Sequence, residues 1–172
     1  MSINRIPLVS GIFFFLFLFQ ESFLNRINFF IGGFSLYLAF FIVWVLREDR
    51  SSALIVGFIA GFIADLSPTL EAPFGLWTFV LTAVAYLVSV NRQGVIDAVD
   101  SPVTKTIFAA IGSTVTLIVF LVCGTILGNE FGSFAAVAKT LFGNALWVFV
   151  LSPIFVPIAS ALQRVSLTAR DR

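Results

Sequence analysis

Residues 53–90 read ALIVGFIAGFIADLSPTLEAPFGLWTFVLTAVAYLVSV, and this stretch decides the fold. Ala53, Gly57, Gly61 and Asp65 recur every four residues, so on a helix they share one face. Gly57 and Gly61 form a G-x-x-x-G motif, which lets the backbone of a second helix approach closely within a membrane. The face that favours close packing therefore also carries a carboxylate.

Asp65 lies near the end of this helix, where Pro68, Pro73 and Gly75 indicate a turn before a second apolar run. A charged aspartate at the centre of a membrane span costs about 2.5–3.5 kcal/mol and less near an end, so we expect something to compensate it. Two interpretations stay open. Asp65 caps the start of the next helix by accepting backbone N–H groups, or it contacts a partner or ligand.

The composition outside this stretch is that of an integral membrane protein. The chain is 59% hydrophobic and 11% charged, with a mean hydropathy of +1.07, far from the soluble range. A net charge of +1 without a basic face predicts no nucleic-acid partner. With no histidine and the single Cys123, we expect neither a disulfide, nor a metal site, nor a cofactor.

We predict an all-α membrane protein, a single integral membrane domain over residues 1–172 with six transmembrane helices. The predicted spans are residues 6–20, 27–46, 51–66, 73–90, 102–127 and 136–162. The clustered phenylalanines of spans 1 and 2 are interpreted as lipid-facing bulk. Asn144, inside the last span, is predicted to hydrogen-bond between helices.

The distribution of basic residues predicts the orientation, because cytoplasmic loops are rich in Lys and Arg. Only Arg26 and Lys139 fall on one side of the predicted spans. The other eight basic residues fall on the opposite side: Arg5, Arg47, Arg50, Arg92, Lys105, Arg164, Arg170 and Arg172. We therefore expect both termini in the cytoplasm and the turn after Asp65 on the outer face.

The sequence offers little for catalysis. An aspartyl protease needs two carboxylates that share a proton, and only Asp65 lies clearly within the predicted spans. A Ser–His pair is excluded by the missing histidines, and no glycine-rich nucleotide loop is present. We expect a protein that is not an enzyme.

The run G-F-x-x-G-F-x-x-D-L-S-P, followed by F-G-L-W and A-Y-L, resembles the signature of the MreD family, the rod shape-determining membrane proteins of bacteria. The matching positions are Gly57, Gly61, Asp65, Leu66, Pro68, Gly75, Tyr86 and Leu87. The positions of Pro68 after the aspartate and of Trp77 after Gly75 resemble those in MreD sequences of the high-GC Gram-positive branch. Length, span number and predicted topology fit that family over the whole chain.

The resemblance implies a component of the peptidoglycan elongation machinery in the bacterial cytoplasmic membrane. Such a protein would bind a bitopic MreC-like protein and, through it, MreB, RodA and a class B penicillin-binding protein, besides membrane lipid. The family's fold is thought similar to the substrate-binding subunits of energy-coupling-factor transporters, and a vitamin-binding subunit is therefore the alternative. Few side chains are expected to line an outer cavity for such a ligand: Asp65, Trp77, Thr78, Tyr86 and Asn144.

Overall fold

The computed structural model describes residues 5–27, 31–67, 72–91 and 102–168, and within these ranges all regular structure is helical. The predicted all-α class is confirmed. A short 3₁₀ turn, Leu24–Arg26, follows the first helix. The six α-helices of the described residues are α1 Arg5–Ser22, α2 Leu36–Val45, α3 Arg50–Ala64, α4 Leu76–Val90, α5 Pro102–Ile126 and α6 Phe134–Thr168.

Within the described residues, three helical segments are long and apolar enough to cross a membrane: Arg5–Arg26, Val103–Ile126 and Phe134–Ser166. The remaining helices, α2, α3 and α4, are apolar but only 10–15 residues long. At 1.5 Å per residue, the longer ones extend about 22 Å, less than a hydrocarbon core of about 30 Å. The chain is a membrane protein, and its described part contains three long helices and three short ones.

Helix α2 begins at Leu36, well after the predicted start of span 2 at residue 27. The backbone conformation explains the difference, because Gly32 has φ +62°, which a right-handed helix does not contain. The segment before α2 instead lies against α6, where the Trp147 indole donates to the Ile31 carbonyl at 3.0 Å. Ser35 then caps α2, its hydroxyl accepting from the Leu38 amide at 3.3 Å.

Helix α2 occupies the centre of the bundle and contacts each of the other five helices. Nine of its ten residues are buried, so it has no lipid-facing side. The prediction that the phenylalanines face lipid is therefore wrong for Phe40 and Phe41, which are 1% and 0% exposed. Both pack edge-to-face against Phe13 of α1. Other phenylalanines of α1, such as Phe14 and Phe15, are exposed as predicted.

Helix α6 runs through Pro153 and Pro157 and continues past the predicted end of span 6 at residue 162. A proline inside a helix leaves the carbonyl four residues earlier without its amide donor. The Phe149 carbonyl, which would face the missing amide of Pro153, accepts the Ser152 hydroxyl at 2.8 Å. The extension carries Gln163 and Ser166 to the end of the bundle where α1 begins.

Candidate functional site

The glycine face of α3 is filled by α4. A Cβ added at Gly57 would lie 2.9 Å from the Leu81 carbonyl oxygen, and one at Gly61 would lie 2.7 Å from the Trp77 carbonyl oxygen. Real side chains do not tolerate such distances to backbone atoms, so only glycine permits this approach. The G-x-x-x-G motif therefore joins two helices of the same chain, and its face is occupied.

Asp65 satisfies the first amides of α4. The residue at the N-cap position of α4 is Gly75, which has φ +97° and no side chain to accept a hydrogen bond. One carboxylate oxygen of Asp65 accepts from the Trp77 amide at 2.9 Å. The other accepts from the Thr78 amide at 2.9 Å and from the Thr78 hydroxyl at 2.6 Å. Asp65 is 5% exposed, and it places a negative charge at the positive end of α4.

This geometry supports the capping interpretation of Asp65. Amides near a helix start lack partners within the helix, and a buried unpaired amide costs about 1–3 kcal/mol. The glycine face brings the end of α3 against the start of α4, and the carboxylate then takes up two of these amides. Gly57, Gly61, Asp65, Gly75 and the Trp77 backbone form one hairpin, which we call the α3–α4 hairpin.

The other predicted site residues do not all lie together. Tyr86 lies at the opposite end of α4, where its hydroxyl accepts from the Arg50 guanidinium at 3.0 Å. The Trp77 ring stacks on Phe120 of α5, with ring centroids 4.0 Å apart. Pro68 lies outside the described residues.

Asn144 forms the hydrogen bonds between helices that the sequence predicts. Its side-chain oxygen accepts from the Ser35 amide at 3.0 Å, at the start of α2. Its amide nitrogen donates to the Ser113 hydroxyl of α5 at 3.1 Å. Asn144 is 1% exposed, and it therefore links α6 to two neighbouring helices from a buried position.

A second buried polar cluster, which sequence reasoning missed, lies at the end of the bundle where α1 begins. Arg5 and Glu48, each 2% exposed, form a two-pronged ion pair in which one pair of atoms lies 2.9 Å apart. The Arg5 guanidinium also donates to the Ser166 hydroxyl at 3.2 Å, and Gln163 donates to Glu48 at 3.2 Å. These four residues, the Arg5–Glu48 cluster, tie α1 and the α2–α3 turn to the end of α6.

The residue after Glu48 has a different role. Asp49 is exposed and caps α3, accepting from the Ser52 hydroxyl at 2.7 Å and the Ser52 amide at 3.3 Å. The hydroxyl contact lowers the pKa of the Asp49 carboxyl, which keeps that carboxylate charged at the start of α3. The turn at residues 47–50 thus contains one buried and one exposed carboxylate.

A cavity of about 300 Å³ lies at the opposite end of the bundle, beside Ala64, Ser67 and Trp77. Of the five side chains expected to line an outer cavity, Trp77 and Asn144 are among the described residues that line this cavity. The expectation of few polar groups is wrong, because further polar side chains line it. These are Gln20, Glu21, Asn25, Ser35, Tyr37, Ser67 and Thr140.

Gln20 builds one wall of this cavity and caps α2, as Asp65 caps α4. Its carbonyl oxygen accepts from the Leu36 amide at 3.0 Å, and its amide group donates to the Phe34 carbonyl at 3.0 Å. The sequence places Gln20 at the end of an apolar span, where it looks like an ordinary surface residue. Helices α2 and α4 therefore both begin with amides that a side chain from the preceding helix accepts from.

The family model for the rod shape-determining protein MreD matches residues 2–164 of the 172-residue chain. The chain belongs to the MreD family. The matched range includes the α3–α4 hairpin, three of the four residues of the Arg5–Glu48 cluster (all but Ser166) and every described residue that lines the cavity. Comparisons with curated proteins and with solved structures gave no match. Membership in the MreD family supports a role in determining rod shape.

Proposed function

We propose that this MreD-family chain is a non-enzymatic component of the bacterial cell-elongation complex for peptidoglycan synthesis. It holds partners together by binding an MreC-like bitopic protein, and through that protein associates with MreB, RodA and a class B penicillin-binding protein. The observation that carries the proposal is the family match over residues 2–164. The contacts of Asp65 support the non-enzymatic part of the proposal, because both of its carboxylate oxygens already accept hydrogen bonds within the chain.

The motif that resembles the family signature is, in this proposal, structural. The face of Gly57 and Gly61 is covered by α4, so a partner helix has no access to it while the hairpin is formed. The partner therefore binds a different surface, and the motif acts by fixing the hairpin that supports that surface.

Depleting the protein in the rod-shaped bacterium that makes it tests the proposed role. We expect depleted cells to round or swell, because wall synthesis loses its organisation along the cell length. Cell width and length are measured by microscopy, with re-expression of the wild-type chain as the control. Unchanged morphology after verified depletion would contradict the proposal.

We propose the cytoplasmic membrane as the location, with both termini in the cytoplasm. The excess of Lys and Arg on one side of the predicted spans supports this orientation. The Arg5–Glu48 cluster supports it as well, because it brings the start of α1 and the end of α6 to the same end of the bundle.

Cysteine labelling tests the orientation. In a chain with Cys123 replaced by serine, we expect a membrane-impermeant maleimide to label Glu130→Cys in intact cells. Asn91→Cys should react only after the cells are permeabilised. Both positions are exposed and lie at opposite ends of the bundle. Labelling of Asn91→Cys from outside intact cells would reverse the proposed orientation.

A vitamin-binding transporter subunit is the second candidate, and the cavity beside Trp77 is the observation that favours it. Such a subunit requires a pocket with several polar groups, and polar side chains do line this cavity. The depletion experiment separates the candidates, because loss of a vitamin-transporter subunit is corrected by excess vitamin in the medium. Loss of rod shape that such supplements do not correct favours the elongation complex.

A further inference from the structure

The cavity beside Trp77 has walls that are already held in place. Asn144 uses its oxygen and its nitrogen in hydrogen bonds within the chain, as Gln20 does. The Tyr37 hydroxyl donates to the Ala60 carbonyl at 2.6 Å. Since these polar groups are fixed before any ligand arrives, a ligand would not have to order them, which favours binding. At about 300 Å³, the cavity lies at the small end of the range for ligand sites, roughly 300–1,000 Å³.

The charge in the cavity comes from Glu21. It is the one carboxylate among the described lining residues, and no Lys or Arg lines the cavity in that part of the chain. One carboxylate oxygen accepts from the Ser67 hydroxyl at 2.8 Å. Arg26 and Lys139, which follow and precede the lining residues Asn25 and Thr140, are exposed and form no ion pair with Glu21. A half-buried carboxylate without a counter-charge favours a cationic group as its partner.

Although several polar side chains line the cavity, most of its accessible surface is apolar. Phe17, Phe34, Tyr37 and Trp77 all line the cavity, together with Leu38 and Leu117. Aromatic faces attract a cation that lies within about 6 Å of the ring centre, and they also pack against an apolar body. The wall chemistry and the carboxylate therefore select the same kind of ligand.

We propose that this cavity binds a small ligand through a protonated amine, with the free oxygen of Glu21 accepting from the ammonium group and the aromatic walls holding the adjoining carbon atoms. The ammonium group could come from a free organic amine or from the headgroup of phosphatidylethanolamine. Either source brings the same chemistry to the same carboxylate. This binding site goes beyond the proposed role in the elongation complex and does not depend on it.

The test uses the purified full-length chain in nanodiscs made of phosphatidylglycerol alone. The probes are 2-phenylethylamine, the neutral 2-phenylethanol and the anionic phenylacetate, with affinity measured by calorimetry and by the shift in melting temperature. We expect the amine to bind at least about tenfold more tightly than the alcohol, since a hydrogen bond to a charged group is worth that much. Phenylacetate should not bind.

Glu21→Gln should remove the preference for the amine while keeping an acceptor for Ser67. Glu130→Gln is the matched control, because it removes an exposed carboxylate at the same end of the bundle. It should bind the amine as the wild type does. If Glu21→Gln does not fold, Glu21→Asp replaces it, and the shorter carboxylate should keep a weakened preference for the amine over the alcohol.

Nanodiscs that also contain phosphatidylethanolamine separate the two sources. If the headgroup is the ligand, this lipid raises the melting temperature of the wild type but not of Glu21→Gln, and it competes with any added amine. If a free amine is the ligand, the lipid changes neither measurement.

Equal affinity for the amine and the alcohol, or equal amine binding by wild type and Glu21→Gln, would overturn the proposal. So would the absence of any response to both the amine and phosphatidylethanolamine.

Discussion

Replacing Glu48 by alanine is expected to destabilise the protein by about 3–5 kcal/mol, because Arg5 would then remain buried without its counter-charge. Both side chains are 2% exposed, so water does not replace the lost partner. The same change also removes one of the two acceptors of the Gln163 amide nitrogen, which keeps only the Trp44 carbonyl at 2.9 Å. The loss should appear as a lower midpoint of unfolding in mild detergent.

Two further variants show whether the ion pair itself is responsible. The double variant Arg5→Met/Glu48→Leu should be clearly more stable than Glu48→Ala alone, because replacing both charges leaves neither one unpaired. Glu130→Ala, which removes an exposed carboxylate, should change stability by less than about 0.5 kcal/mol. A Glu48→Ala variant as stable as Glu130→Ala would contradict a buried ion pair that joins α1, the α2–α3 turn and α6.

Replacing Gly61 by alanine is expected to cost about 3 kcal/mol or more, because the new methyl group would meet the backbone of α4. The Trp77 carbonyl oxygen would lie 2.7 Å from the added Cβ, and the Thr78 amide nitrogen 2.8 Å. These atoms belong to the first turn of α4 and cannot move aside as the end of a side chain can. The two helices would separate, and Asp65 would lose its contacts with the Trp77 and Thr78 amides.

Gly11→Ala is the matched control for this prediction. Gly11 lies within α1, and a Cβ there would have no other atom within 4 Å. Alanine is favoured over glycine inside a helix by about 0.5–1 kcal/mol in water, so this variant should be neutral or slightly more stable. The midpoints of unfolding of both variants are compared in the same detergent. Similar stability of Gly61→Ala and Gly11→Ala would show that α3 and α4 do not pack as closely as described.

The α3–α4 hairpin could be predicted from sequence because its signals are local. Gly57 and Gly61 are spaced for close packing, Asp65 is a carboxylate in an apolar run, and Gly75 precedes the next helix. Each signal lies within a few residues of the feature that it predicts. The structure adds that α4 packs on the glycine face and that the Trp77 and Thr78 amides donate to Asp65.

The central helix and the Arg5–Glu48 cluster could not be predicted in the same way, because their signals are distant in sequence. Glu48 lies 43 residues from Arg5, and the turn at residues 47–50 looks like an exposed polar loop. Every side of α1 is apolar, so its sequence does not show which face is buried. One stripe of α1 is buried, and it consists of Arg5, Val9, Phe13, Phe17 and Gln20. The polar residues at its two ends, Arg5 and Gln20, were the sequence signal for this buried face.

The start of α2 was predicted too early for a related reason. Apart from Asn28 and Ser35, the residues from Ile27 into α2 are apolar or glycine, and this composition indicates one long span. The structure uses Gly32, with its positive φ, and the cap at Ser35 to begin the helix later. In a membrane protein an apolar run is compatible with either arrangement, and the glycine pair and the serine were the better guide.

The central claim is that the motif around Asp65 is structural. Its most direct test measures, for the same Asp65 variants, the melting temperature in detergent and the recovery of the MreC-like partner in a pull-down. Asp65→Asn should lower stability by about 1–2 kcal/mol, since an amide oxygen still accepts but without charge. Asp65→Leu should lose more, because it leaves the Trp77 and Thr78 amides unpaired. Partner recovery per folded molecule should stay normal in both variants. Normal melting of both variants with loss of the partner would contradict the account and make Asp65 a contact residue.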